Sequence, residues 1–155
     1  MKETHNEAIT FLTHFLYRAP QLHDILYSNG VRKEIYFNSV KSDVINAAAG
    51  VINIYLNSAL LNLEPNLLLA VTLHELGHIS KKHNEGFNSF KRMLLSVFGK
   101  ECEFNHKIEH EADLFAAEIC GVGTYIKLLE ILGGDDSYSH PSAEKRIAHI
   151  KKHLA

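Results

Sequence analysis

The chain has 155 residues, 46% of them hydrophobic, and a formal net charge of −2 at pH 7. This length and hydrophobic content predict one globular domain with a real core, and the scattered Lys and Arg exclude a nucleic-acid-binding surface driven by positive charge. The polar, acidic start over residues 1–7 does not resemble a signal peptide, and two cysteines do not indicate a disulfide framework, so we expect a cytoplasmic protein.

The first forty residues have a helical pattern. Over residues 4–18, apolar side chains recur at helical spacing, and Ala19 followed by Pro20 would end that helix. A second, short helix is predicted at 20–28, because Asn29 and Gly30 follow it as a turn signal.

Two segments are rich in β-branched and aromatic residues and predict β-strands, namely 35–37 and 51–56. Two positions are open for the second strand. It could lie at a sheet edge bordering a cleft, where it would pair with an extended peptide backbone, or it could be buried inside a small sheet.

The most informative motif is His74-Glu75-Leu76-Gly77-His78, on a helix that is predicted to begin at Pro65. Four residues make a little over one helical turn, so both imidazoles share a face and can bind one zinc ion. Glu75 would stand beside the open coordination position, where it can take a proton from a water whose pKa zinc lowers to roughly 7. The alternative is a solvated helix with two unrelated histidines.

A second helix, predicted over 107–119 and ended by Gly121, offers the third zinc ligand. Glu109 and Asp113 are four residues apart and share a face, whereas Glu111 is rotated by about 200° and cannot share it. We predict that Glu109 binds the metal and that Asp113 holds the other N–H of a histidine ligand. The alternative is an ordinary acidic helix with solvated side chains.

Small residues on both predicted metal helices, Gly77, Ala112 and Ala116, would let the two helices approach closely enough to share one ion. A third histidine at the metzincin spacing would fall on position 84, which is Asn84. The order His-Glu-x-x-His and then Glu-x-x-x-Asp is therefore a gluzincin arrangement.

The segment between the two metal helices begins as a loop at 84–89. It continues as an apolar stripe, formed by Phe90, Met93, Leu94, Val97 and Phe98. This stripe predicts a lid helix over a cleft, a homodimer contact through 87–98, or simple core packing. Beyond it we predict a helix at 124–132, a glycine-rich loop, and a last helix from Pro141 to about residue 153.

Four stretches resemble, in the same order, the CAAX prenyl protease and HtpX-type zinc metallopeptidases. They are 46–61, 74–83, 109–113 and 140–147. The resemblance implies a zincin-like α+β fold, mostly helical, with a small β-sheet next to the active-site helix. It also implies zinc bound by His74, His78 and Glu109, with Glu75 as general base.

The same resemblance is the main reason to predict roles for two residues near the C-terminus. His140 would donate to the oxyanion of the substrate, and Arg146 would brace the Glu109 or Asp113 carboxylate through a bidentate pair. A weaker resemblance links residues 111–118 to the ImmA/IrrE metallopeptidases, which cleave repressors.

We therefore expect a single metallopeptidase domain over 1–155, with an N-terminal helical segment at 1–40 and a catalytic core at 41–155. It would be a zinc endopeptidase that acts on peptides or proteins and has no nucleic-acid partner. The longest apolar stretch, 59–73, is too polar to span a bilayer. Two alternatives are a dedicated regulatory protease with one repressor-like partner and a zinc-binding protein without turnover.

Overall fold

The computed structural model describes residues 2–18, 22, 24, 27, 28, 35–43 and 45–154, without the side chains of 2–6, 16–18, 87, 89, 90, 92 and 93. The helices with described bounds are α1 (Lys2–Arg18), α2 (Pro65–Ser80), α3 (Gly86–Val97), α4 (Glu101–Cys120), α5 (Val122–Leu132) and α6 (Ala143–Leu154). A 3-10 turn covers Leu60–Asn62. The short helix predicted at 20–28 lies largely outside the described residues.

Within the described part of the chain, three strands form one small sheet: β1 (Tyr36–Val40), β2 (Ala47–Ala49) and β3 (Asn53–Asn57). The spatial order is β1-β3-β2, with β1 parallel and β2 antiparallel to the central β3. The chain is thus mostly helical with a small sheet, and the predicted α+β class is confirmed. None of the described helices combines the length and the apolar character that a membrane crossing requires.

The strand predicted at 51–56 is the central strand β3, not an edge strand. Ile54 and Leu56 are fully buried, because their side chains pack into the core beneath the helices. Of the two positions considered for this strand, the buried one is correct. The edge beside the cleft belongs instead to β2, whose three consecutive alanines carry no β-propensity signal.

No described strand pairs with the edge of β2 that faces away from β3, which is here called the free edge. Asn57 N donates to Asn46 O at 3.0 Å, and Gly50 N donates to Asn53 O at 2.7 Å. Asn46 and Gly50 therefore direct their backbone groups towards β3. Because backbone groups alternate in direction along an antiparallel strand, Ala47 and Ala49 direct theirs to the free edge.

Helix α2 lies at the centre of the molecule and is buried on every side from Val71 to Ser80. A helix that is buried all round needs apolar residues all round, which Leu67–Leu73 largely supplies. Pro65 occupies the first turn, where its missing N–H costs no hydrogen bond. Helix α2 packs mainly against α4, and also against α5 and β2.

The close approach of α2 and α4 depends on Gly77. A Cβ at this position would lie 3.0 Å from the Ala112 Cα and 3.2 Å from the Ala112 carbonyl oxygen. Ala112 and Ala116 are fully buried at the same contact. The prediction that small residues allow these two helices to approach is confirmed.

We expect Gly77→Ala to lower the free energy of unfolding by up to about 2 kcal/mol, since overpacking costs about 1–3 kcal/mol and better helix propensity returns about 1 kcal/mol. Gly123→Ala on α5 is the matched control, because nothing lies within 4 Å of its added Cβ. Urea unfolding of the metal-free proteins should leave the control unchanged or slightly stabilised. Equal effects of the two substitutions would contradict the proposed close contact.

The apolar stripe predicted between the metal helices is helix α3 and the residue after it. Leu94, Val97 and Phe98 are exposed, the last two by 76% and 67%. The side chains of Phe87, Phe90 and Met93 lie outside the described part of the chain. A homodimer contact through 87–98 therefore stays a prediction, as does a lid.

Candidate active site

Helices α2 and α4 bring three side chains to one point. His74 Nε2 lies 3.1 Å from His78 Nε2 and 3.2 Å from Glu109 Oε2, and His78 Nε2 lies 3.4 Å from Glu109 Oε1. All three residues are buried, and their ligand atoms lie within 4.8 Å of one another. Among the described residues, these three form the group of histidine, cysteine and acidic side chains that could hold a metal ion.

The chemistry of this triad fits zinc. Each imidazole engages its Nδ1 in a contact on the far side of the ring, which leaves the two Nε2 atoms facing each other. Glu109 Oε2 is buried and has no hydrogen-bond partner among the described residues, although His74 Nε2 is only 3.2 Å away. Two imidazoles and one carboxylate that converge in this way are a common ligand set for catalytic zinc.

The electrostatics of the triad favour a cation. Burial would raise the pKa of Glu109, but the adjacent His74 and His78 imidazoles outweigh burial, and the pKa lies well below its ordinary value. Burial would also lower the pKa of His74, but the Asp113 and Glu109 carboxylates outweigh it and raise that pKa to about 10. Two ionised carboxylates beside one imidazole would attract a divalent metal as they attract a proton.

The Nδ1 atom of His74 contacts a buried polar cluster. It lies 2.8 Å from the Tyr125 hydroxyl and 3.1 Å from Asp113 Oδ1. Tyr125 donates to Asp113 Oδ1 at 2.8 Å, and Arg146 donates to both Asp113 oxygens, at 2.9 Å from Nε and 2.5 Å from Nη2. The structure thus brings Asp113 and Arg146 together beside the triad, as a bidentate pair that fixes the orientation of His74.

The ionisation of this cluster follows from its pairing. Burial would raise the pKa of Asp113, yet hydrogen bonds from Arg146 and His74 hold it well below its usual range. Burial would lower the pKa of Arg146, and its contact with Asp113 instead raises it. Burial raises the pKa of Tyr125, so its hydroxyl stays protonated and can donate.

Sequence reasoning missed Tyr125. The residue lies within an apolar helix, where a tyrosine reads as an ordinary core aromatic. Tyr125 is 1% exposed, and a buried hydroxyl needs a polar partner. A single tyrosine in an otherwise apolar helix was therefore the one sequence feature that could have indicated a polar contact here.

We expect Arg146→Met to lower the free energy of unfolding by about 3 kcal/mol or more, because it leaves the fully buried Asp113 carboxylate without its cation. Lys127→Met is the matched control: it removes an exposed 3.1 Å ion pair with Glu64, which is worth at most about 1 kcal/mol. Urea unfolding in excess chelator measures both. A loss for Arg146→Met no larger than for the control would contradict a structural role for the pair.

The Nδ1 atom of His78 has a different partner. It lies 3.0 Å from His83 Nδ1, and His83 Nε2 lies 3.0 Å from Glu111 Oε2. Burial lowers the pKa of His83 to about 4, against the opposing effect of Glu111, so His83 is neutral at pH 7. The sequence analysis set Glu111 aside as a ligand and assigned His83 no role in the site.

A cleft of about 520 Å³ opens beside the triad. Its walls are β2, the Glu75 side of α2, the first turns of α4, and the loop Tyr138–His140. Glu75 is buried in the cleft wall, one residue from His74. His140 stands at the cleft mouth with its side chain 54% exposed and its Nε2 3.6 Å from Glu109 Oε2. Tyr138 also lines the cleft, and its hydroxyl donates a hydrogen bond to Glu101.

Comparison with curated proteins and with solved structures gives no significant match. A family model, that of Peptidase family M48, matches residues 17–100. This segment includes His74, Glu75 and His78 and ends before Glu109, and the narrower likenesses to HtpX-type and ImmA-type enzymes stay predictions. Metallopeptidases of this kind act on peptide or protein substrates. Because the match covers more than half of the chain, the protein belongs to Peptidase family M48.

Proposed function

We propose that this protein is a zinc-dependent endopeptidase whose metal is held by His74, His78 and Glu109. The observation that carries the proposal is the convergence of the three side chains at the wall of an open cleft, with Glu75 beside them. Glu109 Oε2 is buried without a hydrogen-bond partner among the described residues, and a buried carboxylate oxygen of this kind is costly unless a cation shares it.

Zinc in this triad would polarise the carbonyl of the substrate and lower the pKa of a water molecule. The side chains of the protein would supply the proton transfer and the orientation of the ligands. Glu75 takes the proton of the attacking water and passes it to the leaving amine, as a general base and then a general acid. Asp113 and Arg146 hold His74 in the tautomer that keeps its Nε2 free for the metal.

His140 is proposed as a donor to the oxyanion that forms during attack. Its position supports this role, since the side chain stands half-exposed at the cleft with its Nε2 3.6 Å from Glu109 Oε2, next to the place where a substrate carbonyl would bind. Arg146, by contrast, forms its short contacts with Asp113, and its Nη2 lies farther, 3.9 Å, from Glu109 Oε2. We therefore propose that it positions the carboxylates and does not contact the substrate.

An extended substrate would pair with the free edge of β2. Ala47, Ala48 and Ala49 line the cleft, and the alternation of the strand directs the amides of Ala47 and Ala49 away from β3. The Ala49 carbonyl already accepts from Asn84 Nδ2 at 2.8 Å. Backbone pairing is therefore offered chiefly by Ala47, and because it reads no side chain, it suits an enzyme that accepts many sequences.

The test uses protein without a polyhistidine tag, because 11 histidines already favour adventitious metal binding. Zinc content is measured, and a mixture of unstructured peptides is then followed by mass spectrometry. We expect about one zinc per chain, and cleavage that stops on chelation and returns with zinc. Zinc without cleavage would favour a dedicated protease with a single partner, or a binding protein. The absence of zinc uptake would overturn the proposal.

A further inference from the structure

The end of helix α2 is built in a way that places one more histidine against the metal triad. His83 N donates to the His78 carbonyl at 2.9 Å, and Lys82 N donates to the Ile79 carbonyl at 3.0 Å. This pair of bonds is a Schellman motif, which needs one residue in the left-handed region. That residue is Lys82, with φ of 56°.

A left-handed lysine is unusual, because the side chain of an L-residue is crowded in this region and glycine normally takes the position. Among the described residues, Lys82 is the one non-glycine with positive φ. Such strain persists only where the surrounding structure holds it in place. In a Schellman motif, the residue after the left-handed one usually makes an apolar contact with the last turn. Here that residue is His83, and its contact is polar.

His83 bridges two side chains from different helices. Its Nδ1 lies 3.0 Å from His78 Nδ1, and its Nε2 lies 3.0 Å from Glu111 Oε2 on α4. His83 is 2% exposed, so the bridge has no access to bulk water on the histidine side. Glu111 is half-exposed and lies 3.7 Å from Lys107 Nζ, so one end of the bridge reaches the surface.

The direction of these hydrogen bonds follows from the metal role proposed for His78. If Nε2 of His78 binds the metal through its lone pair, the ring proton of His78 must be on Nδ1. His78 Nδ1 then donates a hydrogen bond to Nδ1 of His83. His83 then carries its own proton on Nε2 and donates to the Glu111 carboxylate. One arrangement of protons thus satisfies all four ring nitrogens and leaves none buried without a partner.

We propose that His83 is a positioning residue which, with Glu111, orients His78 and keeps it in its metal-binding tautomer. The inference rests on the proposed zinc site. Under it, each of the two histidine ligands is oriented by a separate set of hydrogen-bond partners. His74 is held by a buried Asp113 whose charge Arg146 compensates. His78 is held through His83, which connects it to the half-exposed Glu111 carboxylate.

The test compares two variants of His83. His83→Phe keeps the ring and its volume but can neither accept nor donate, whereas His83→Gln can accept from His78 and donate to Glu111. Zinc affinity is measured by competition with a chromophoric chelator. We expect His83→Phe to weaken affinity by about 10- to 100-fold, and His83→Gln to recover most of that loss. Glu111→Gln, which retains an acceptor but loses the charge, should weaken affinity less than His83→Phe.

Two spectroscopic readouts separate positioning from a general effect on folding. The visible spectrum of the cobalt-substituted protein should change in His83→Phe and return towards wild type in His83→Gln. Long-range ¹⁵N–¹H spectra of the zinc-loaded wild type should place the His83 proton on Nε2. A proton on Nδ1 would overturn the proposal, because His83 could not then accept from His78.

The outcomes distinguish this inference from the proposed function. Zinc affinity within twofold of wild type in His83→Phe, with an unchanged cobalt spectrum, would overturn the positioning role while leaving the zinc site and peptidase activity intact. If the wild type binds zinc but cleaves nothing, the enzymatic proposal fails, and the affinity series still decides the role of His83. Failure of the wild type to bind zinc at His74 and His78 would overturn both.

Discussion

Replacing Glu75 by glutamine should abolish peptide cleavage and leave zinc content at about one ion per chain. Glutamine has nearly the same shape and can fill the same place in the cleft wall, but it cannot take a proton from water. Loss of a general base typically costs about 10²–10⁴-fold in rate. The measurement is the initial rate of cleavage of a peptide substrate at matched zinc occupancy.

The control for this prediction is Glu118→Gln. Glu118 is an exposed glutamate on α4 that does not line the cleft, so its substitution removes the same charge without touching the site. We expect wild-type rates for it. If Glu75→Gln retained more than about a tenth of the activity, the general base would have to be another group, and the assignment of Glu75 would be wrong.

Replacing Glu109 by alanine should remove zinc from the protein. Two imidazoles from one helix would remain, and a catalytic zinc site needs at least a third protein ligand. We expect affinity to fall by more than about 100-fold, which exceeds the loss typical of a group that only supports a ligand. Elemental analysis after dialysis against a weak chelator, together with chelator competition, measures this loss.

The matched control is Glu111→Ala, two residues along the same helix. Glu111 contacts His83 and Lys107 and does not reach the triad. Because it supports His78 only through His83, this variant should lose far less zinc affinity than Glu109→Ala and still bind about one zinc per chain when zinc is in excess. Retention of zinc by Glu109→Ala and its loss from Glu111→Ala would reverse the assignment of the third ligand. Equal losses of affinity in the two variants would mean that α4 as a whole, and not Glu109, had been disturbed.

Periodicity was enough to predict much of the site. On a helix, residues four apart share a face whatever the rest of the chain does, so the spacing of His74 and His78 implied convergent imidazoles. The same rule put Glu109 and Asp113 on one face of α4 and turned Glu111 away from it. These predictions needed only that each segment be helical, and both are.

Other parts of the structure could not be predicted, because no local pattern in the sequence indicates them. β2 is a strand because Ala47–Ala49 pairs with β3, although three alanines favour a helix. Tyr125 comes from a different helix, and its role depends on the packing of α5 against α2. The link from His83 to His78 depends on the left-handed backbone at Lys82, which no propensity would suggest for lysine.

The sequence by itself therefore determined the helices, the pair of histidines, and the acidic residues that could join them, because all of these follow from intervals of three or four residues within one helix. Only the tertiary structure decided which carboxylate meets the histidines, which strand borders the cleft, and which groups hold each imidazole. Apart from the contact between His78 and His83, which is made within five residues, those contacts join residues 28 to 51 positions apart. They are set by how closely α2 and α4 pack at Gly77, a distance that depends on the whole core.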